Sequence, residues 1–565
     1  MLVILDDGSA KIFSAPLEVI RADDPLQVPA ALAAVEAALA QGKHVAGWLA
    51  YELGYALEPR LARHAGSGPL LRLGVFGAPG DARAPAAGRA YAGPLRLEWD
   101  ETRYAGPFGR VKDYIAAGDI YQANLSFRAR FAFAGEPRAL YERLLAQSGA
   151  AHCGFIDDGE RQILSLSPEL FFDLAEDGAI TVKPMKGTAP RNGDDNSERA
   201  ALAGSAKDRA ENLMIVDLIR NDLSRIGGSV EVSDLFKVET YPTLHTMVST
   251  VTAKKRPNAG VADILKALFP CGSVTGAPKI RAMDILRELE TSPRGAYCGA
   301  IGHFAPGPGN RFSARFNVAI RTLTIAAGEG ALGIGGGVVQ DSRADGEYAE
   351  CLLKARFFEA ARRPLELIET LRYEHGFVRL SSHLARMAAS ARVFGLTFDA
   401  AAARTALDRA VAGRRGALRV RLTLDEQGDH QATARDLPQV FDGGGPPHWS
   451  YAISAERTDS RDLFLRHKTS WRELYESEVK RLGADEVVFV NERGELTEGA
   501  RSNIFIKRGD MLLTPPLAAG VLDGCLRAEL IAQGKAREAV LMPDDLKGEV
   551  YFGNSLRGLI PAKPR

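Results

Sequence analysis

Lys186 stands in the run VKPMKGTAPR, residues 182–191, between Met185 and the pair Gly187-Thr188. A lysine there serves as an exposed loop charge, as a counter-ion, or, once uncharged, as a nucleophile. Two acidic pairs also have chemical spacing: Asp208 with Glu211 in AKDRAENLMIVDL, and Glu347 with Glu350 in ADGEYAECLLKAR. Three-residue spacing puts both carboxylates of a pair on one helical face. Four hard oxygen donors from two helices are a ligand set for a divalent cation such as Mg2+. Solvated helix faces carry the same spacing, so the pattern alone leaves both readings open. The glycine run GIGGGVVQDS precedes extended, polar sequence rather than an amphipathic helix, so it fails as a dinucleotide fingerprint. Its backbone amides remain free to cradle a carboxylate.

The elements that must position these groups belong to a long chain. At 565 residues, roughly three or four compact units are expected. Lys plus Arg equals Asp plus Glu at 71 each, so no excess positive field grips a polyanion, and nucleic acid is not an expected partner. No apolar run approaches the roughly 20 residues that cross a bilayer, and MLVILDDGSAKIF reads as a strand and turn rather than a signal peptide. Five widely spaced cysteines, Cys153, Cys271, Cys298, Cys351 and Cys525, form no CxxC pair, which points away from disulfides and zinc and towards a reducing cytoplasm.

Along the chain, PAALAAVEAALAQG reads as a helix and HVAGWLAYELGYAL as buried strand and turn. GAPGDARAPAAGRAYAGP reads as a surface excursion. A helix ending near Gly118 precedes a strand, and one long helix is expected over DNSERAALAGSAKDRAENLMIVDLIRNDLSRIGG, stopping at paired glycines. SVEVSDLFKVE, LHTMVSTVTA, ARFNVAIRTLTIA and ALGIGGGVVQ read as strands. Helices mixed with long antiparallel strands predict an α+β unit over residues 1–358, with its core at 101–358. A linker is expected at 359–365, around an Arg-Arg-Pro break, and a second unit at 366–565 with a hairpin in EVVFVNERGELTEG.

The segments GDIYQANLS, SLSPELFF, PMKGTAPR, AENLMIVDLIRNDL, LHTMVSTV, FPCGSVTGAPKIRAMDIL, YCGAIGH, FNVAIRTL and GGGVVQDSRADGEYAECLLKA occur in order. Together they resemble the chorismate-utilising enzymes, which include anthranilate, isochorismate and aminodeoxychorismate synthases. The likeness runs from about residue 100 to 358, and is looser before it. It implies that Glu211 and Glu350 bind Mg2+ with Asp208 and Glu347 in support. Tyr297, Arg321, Lys354 and the Gly335, Gly336 and Gly337 backbone would bind the carboxylates of chorismate. Thr188 would also touch substrate, and His245 and Thr275 would line the ring pocket. Glu169 matches the general acid that protonates the departing C4 hydroxyl, a role that needs a carboxyl kept protonated by burial. Gln122 stands where water-adding members carry a lysine base, and an amide cannot activate water. At position 186 the anthranilate-forming members usually have alanine, whereas aminodeoxychorismate synthases have a lysine that attacks ring carbon C2.

None of the cysteine contexts is a G-x-C-x-G elbow, so a glutamine amidotransferase subunit supplying ammonia is the expected partner. In the second unit, LFLRHKTSWRELYE places Lys468 at the start of a predicted helix. With SSHLARM, ELTEGARSNIFI, AAGVLDGCLR and FGNSLRGLIP, it resembles the class IV aminotransferase fold (pyridoxal-phosphate fold type IV, α/β), especially aminodeoxychorismate lyase. That likeness implies a Schiff base between Lys468 and pyridoxal phosphate, and Glu498 on the pyridine nitrogen. Arg386 would hold the phosphate with the amides near Cys525 and Leu526, Ser555 and Asn554. The expected whole is a folate-pathway enzyme making 4-aminobenzoate in two steps, with a homodimer through the second unit suggested by relatives of that fold. The alternatives are an anthranilate synthase component joined to an amino-acid transaminase, or a synthase carrying a noncatalytic second module.

Overall fold

The computed structural model describes residues 1–8, 10–66, 68–81, 86, 88–191, 193–240, 244–437 and 448–565. The Thr188 side chain, one of the expected substrate contacts, lies outside the described residues. Contacts divide the chain into two compact units. The first comprises Met1–Ala86, Leu95–Phe131 and Leu140–Ala361; the second comprises Ala87–Pro94, Ala132–Ala139 and Arg362–Arg565.

Two large sheets build the first unit. One runs through Gly276–Ala277, Gln122–Gly135, Glu329–Val338, Thr322–Ala326, Gln162–Ser167, His152–Asp157, Leu2–Asp6 and Ala10–Phe13. The other runs through Met185–Pro190, Leu244–Lys255, Ala179–Lys183, Leu170–Leu174, Phe312–Val318, Ala300–Pro306, His44–Leu49, Leu71–Phe76 and Glu18–Ala22. Alternate residues point to opposite faces of a strand, and one core gathers Val3, Leu5, Ile156 and Ile163 from the first sheet with Ala46, Trp48 and Ile301 from the second. A larger core joins second-sheet residues such as Phe172, Ile180 and Phe316 to Leu32, Ile215, Ile219 and Leu265 on helices. The second sheet is therefore covered on both faces.

Two helices carry the acidic pairs. Ala206–Ser224 starts where the Ser205 side chain accepts a hydrogen bond from the Asp208 amide, an N-cap that ends the preceding helix Asp195–Gly204. The single long helix expected here is thus two. The paired glycines Gly227 and Gly228 open the strand Gly227–Thr240 instead of ending a helix. Buried Asn212 accepts from Ser249 Oγ at 2.5 Å and so ties Ala206–Ser224 to the strand Leu244–Lys255. The second helix, Ala344–Ala361, packs through Tyr348 on Tyr104 and through Phe358 on Phe131. ARFNVAIRTLTIA also divides, into Phe312–Val318 and Thr322–Ala326, with Arg321 left-handed between them at φ 48°.

The second unit has a three-stranded antiparallel sheet, Leu367–Tyr373, Leu418–Leu424 and His430–Asp436, with helices Leu380–Phe394 and Ala400–Val411. Its other sheet is mixed and eight-stranded, and holds the expected hairpin of Glu486–Asn491 with Leu496–Gly499. Ala90–Ala92 forms a short buried strand, and Tyr91 is fully buried against Phe394 and Trp471. The later part of the expected surface excursion is therefore core, while its residues 82–85 and 87 lie outside the described residues. Among the described residues no helix is long and apolar enough to cross a membrane.

Candidate active sites

Lys186 lies on an irregular edge strand. Met185 pairs with Val248 and Thr188 with Thr246, so three steps along Met185–Pro190 oppose two along its neighbour. Such a bulge re-aims side chains, and Gly187 at φ 85° supplies the left-handed backbone it needs. A Cβ on Gly187 would also strike the Asp208 side chain, 2.9 Å away. The bulge sends the Lys186 amine to 3.1 Å from Glu211 Oε2. A Cβ on Gly337 would lie 3.0 Å from the same nitrogen and 2.7 Å from Gln122 Nε2. Three separate segments thus meet at one amine.

Two buried polar groups face this amine without a full set of partners. Gln122 is 0% exposed, and neither end of its amide has a hydrogen bond among the described residues. Glu169, 4% exposed, also has an unpartnered Oε1. Burial pushes the Glu169 pKa up to about 7, while the Ser273 side chain and the Lys186 charge pull it partly back. Other buried atoms among the described residues also lack partners, but here an unbonded amide and an unbonded carboxyl oxygen are coupled to one amine, and a polar ligand would satisfy them.

The glycine strand Glu329–Val338 supplies the floor. Gly333 lies against the Tyr297 ring, where a Cβ would come within 2.2 Å, and Gly335 lies against Ser126. Burial raises the Tyr297 pKa well above its ordinary value, so the ring keeps its hydroxyl proton. Gly336 faces Glu347 Oε2 and Lys354, and the Lys354 amine donates to the Gly335 carbonyl at 2.9 Å. Thr275 is buried, with its hydroxyl donating to the Cys271 and Gly272 carbonyls at 3.2 and 3.1 Å. Arg321 is set apart: its neighbour by charge is the Cys153 thiol, and no described contact joins it to Lys186.

Two of the four carboxylates read as cation ligands, Glu211 and Glu350, are paired here with lysines. Glu211 pairs with Lys186 and, at 3.9 Å, with Lys207; Glu350 pairs with Lys354 at 2.9 Å. Burial raises the Glu347 pKa, and Ser342 donates to its carboxylate at 2.7 Å. Burial also acts upward on Glu350, but Lys354, Lys186 and Lys207 outweigh it and leave it lowered. Hard carboxylate oxygens are of the type that suits a divalent ion, but among the described residues no three of these four bring their donor atoms within 4.8 Å of one another, and Lys186 and Lys354 stand beside Glu211 and Glu350. Lys207 was not read from the sequence, although its place four residues before Glu211 was a usable signal. His245 turns away from this group: its Nε2 is 3.4 Å from Asp195 and 3.5 Å from Glu198, and its Nδ1 is 3.0 Å from Thr240 Oγ1. Among the described residues, Asp195, Glu198 and His245 are the three potential metal ligands whose donor atoms cluster within 4.8 Å. Its imidazole makes that set less suited to Mg2+.

In the second unit Lys468 is not at a helix start. It sits in an extended segment five residues before helix Glu473–Leu482, fixed by the Ile368 amide donating to its carbonyl at 2.8 Å. The helical expectation fails because Thr469 bridges to Leu367 at the sheet edge. Burial pulls the Lys468 pKa down to about 8, with Glu369 opposing and Arg386 and Arg472 reinforcing. Arg386 makes a forked contact with Glu369, at 2.9 and 2.6 Å, and donates to the Asp523 carbonyl at 2.8 Å. His383 bridges Glu369, at 2.6 Å, to Ser555 Oγ, at 2.8 Å. Glu369 is 1% exposed; burial acts upward on it, yet Arg386 and His383 prevail and hold its pKa near 2. Glu369 and His383 were missed from the sequence, although His383 lies within the SSHLARM run that singled out Arg386.

Glu498 accepts from Tyr475 at 2.9 Å and from the Leu522 amide at 3.0 Å. Burial still pushes its pKa up to about 7. Asn554 accepts from the Leu556 and Arg557 amides and so shapes the turn holding Ser555. Cys525 and Leu526 open helix Cys525–Ala532. Lys468, Arg386, Glu498, Ser555 and Cys525 all line one cavity of about 580 Å³. A cavity of that size lined by an amine of lowered basicity, a guanidinium and a buried carboxyl of raised pKa is chemically suited to pyridoxal phosphate.

Residues 78–360 match the model of the chorismate binding enzyme family, and residues 366–564 match that of amino-transferase class IV. Aminodeoxychorismate synthase component 1 of Salmonella typhimurium is 44% identical over 254 residues, 44% of this chain and 54% of its own length. The Escherichia coli protein of the same name is 42% identical over 284 residues, 49% of this chain and 60% of its own. The chain thus spans a little over half the length of these curated relatives. The crystal structure of anthranilate synthase component I from Streptococcus pneumoniae superposes with a TM-score of 0.54 at 24% identity, covering 63% of this chain and 92% of that one, a likeness of fold.

Proposed function

Since the chain belongs to the chorismate binding enzyme family, we propose that its first unit converts chorismate and ammonia to 4-amino-4-deoxychorismate, and that its second releases pyruvate from that product to leave 4-aminobenzoate. The carrying observation is the Lys186 amine held near Glu169, a buried carboxyl whose pKa lies near 7. Glu169 gives its proton to the C4 hydroxyl while the uncharged Lys186 attacks C2, and water leaves C4. Ammonia then bonds to C4 as the C2–nitrogen bond to Lys186 breaks, and a proton shed by the ammonia restores Glu169. The sum is chorismate plus ammonia giving 4-amino-4-deoxychorismate plus water. Lys186 must leave its ion pair with Glu211 to act. Gln122 is an amide and cannot activate water, which disfavours hydroxylation at C2. Glu211 and Glu350, with Asp208 and Glu347 behind them, would hold a magnesium ion, which when bound supplies charge against a substrate carboxylate.

In the second unit, Arg386, Ser555 and the amides of Cys525 and Leu526 would hold the phosphate of pyridoxal phosphate, and Glu498 would face its pyridine nitrogen. The cofactor when bound supplies an electron sink. Lys468, with its pKa near 8, is the base that takes the C4 proton as the ring becomes aromatic and pyruvate departs.

Ammonia would come from a glutamine amidotransferase partner. Supporting this, burial raises the pKa of every cysteine, Cys525 to about 11 and the others to about 12, the reverse of what a thiol nucleophile needs. A homodimer through the second unit is proposed from its family alone, and sedimentation checks it. The product made from chorismate, an ammonium salt, Mg2+ and pyridoxal phosphate tests the main reading. 4-Aminobenzoate with equimolar pyruvate supports it, and anthranilate overturns it.

A further inference from the structure

The cavity of the second unit carries more positive charge than its proposed cofactor uses. Beyond Lys468 and Arg386, its wall includes Arg419, Arg421, Arg501 and Arg557. Arg419 and Arg421 are two apart on the strand Leu418–Leu424, on the face opposite buried Leu418, Val420 and Leu422. Arg501 and Arg557 lie in two turns clamped together by Asn554, whose side chain donates to the Arg501 carbonyl at 3.3 Å and accepts from the Arg557 amide at 2.9 Å. The Arg557 guanidinium sits over the Trp449 ring at 5.7 Å. Among the described residues none of these four has a carboxylate within ion-pair distance, and burial together with the charges of Arg419 and Arg501 lowers the Arg557 pKa. Like charges gathered in a cleft with no carboxylate in ion-pair contact fit an anion that arrives with the substrate, although Glu486 lies near enough to offset part of the charge on Arg557. Two carboxylates share the wall: Glu498 is engaged by Tyr475 and Leu522, and among the described residues Glu476 makes no ion pair with these four arginines.

We propose that Arg419, Arg421, Arg501 and Arg557 form a subsite for a dicarboxylate, binding the ring carboxylate and the enolpyruvyl carboxylate of 4-amino-4-deoxychorismate. The assignment rests on the lyase reading of this unit for the identity of the substrate, but not for the preference for two negative charges. That preference is measurable without turnover. Isophthalate and benzoate, a dicarboxylate and a monocarboxylate of one ring size, are titrated into the holoenzyme while the absorbance of bound pyridoxal phosphate is followed, which reports on this cavity and not on the first unit. Isophthalate is expected to bind about 100-fold more tightly, the effect of one added charge-assisted pair. In Arg419→Gln/Arg557→Gln the preference should fall below about tenfold, with the cofactor content and starting spectrum unchanged. Equal binding of the two probes to the wild type, or an undiminished preference in the double variant with full cofactor, overturns the subsite. Failure of the lyase reading shows separately, as no pyruvate from added 4-amino-4-deoxychorismate with the wild type.

Discussion

Replacing Glu169 with glutamine should abolish most synthase turnover and at the same time stabilise the first unit at neutral pH. The folded-state pKa of Glu169 is about 7 against an ordinary 4.5, because the carboxylate is buried. A folded pKa above the unfolded one means that the native state binds more protons between these values. Stability therefore falls as pH rises from 4.5 to 7 and is level above it. A shift of that size corresponds to about 3 kcal/mol. Glutamine does not titrate, so the stability gap between Glu169→Gln and wild type should widen by about 3 kcal/mol over this window. For a unit of ~350 residues, the unfolding entropy makes that about 4 °C. The assay is parallel thermal denaturation at pH 4.5, 6, 7 and 8, with formation of 4-amino-4-deoxychorismate measured on the same preparations. Loss of the general acid should lower the rate by about 100-fold or more. A gap that stays constant with pH, or a variant that keeps its rate, would refute the assignment of a buried, protonated acid.

Three further outcomes follow from the geometry. Gly337→Ala places a methyl group 2.7 Å from the Gln122 amide and 3.0 Å from the Lys186 amine, so synthase kcat/KM should fall by about 100-fold while pyruvate release from supplied intermediate is unchanged in a coupled assay. Lys468, with its pKa near 8, is about one-tenth uncharged at pH 7, so the rate at which apoenzyme captures pyridoxal phosphate should rise about tenfold between pH 7 and 9 by stopped-flow absorbance. Glu369 has a depressed pKa near 2, so its contribution of about 3 kcal/mol is present above pH 4.5 and lost as pH falls towards 2. Glu369→Gln should remove it, lowering the denaturation midpoint of the second unit at pH 7 and narrowing that loss at pH 3.

The residue types at the first site were visible in local spacing (acids three apart, a lysine before a glycine, a glycine run), whereas those of the second came only from the resemblance of its motifs to class IV aminotransferases. Their mutual arrangement was less visible. The bulge beside Lys186 was not read from the sequence, because it exists only through pairing with Thr246 and Val248, some sixty residues away. The break at Ser205 was written in the chain as Ser-x-x-Asp, a capping pattern hidden by helix-forming alanines on either side. Tyr91 was read as part of a loop because its burial depends on Phe394 and Trp471, far along the chain. The same holds for Glu369, whose role comes from His383 and Arg386 on a helix rather than from its own strand. Arg419, Arg501 and Arg557 arrive from separate segments, and no local pattern announces that they line one cavity.

Synthase chemistry by this chain requires a transient bond between the Lys186 nitrogen and the ring of the substrate. Turnover mixtures with chorismate, ammonium and Mg2+, quenched by acid within milliseconds and digested, should yield a peptide spanning residues 182–191 with the added mass of dehydrated chorismate on Lys186, and Lys186→Ala should lack both that adduct and the para-amino product. Para-amination by Lys186→Ala at the wild-type rate, with no modified peptide at any quench time, would contradict it.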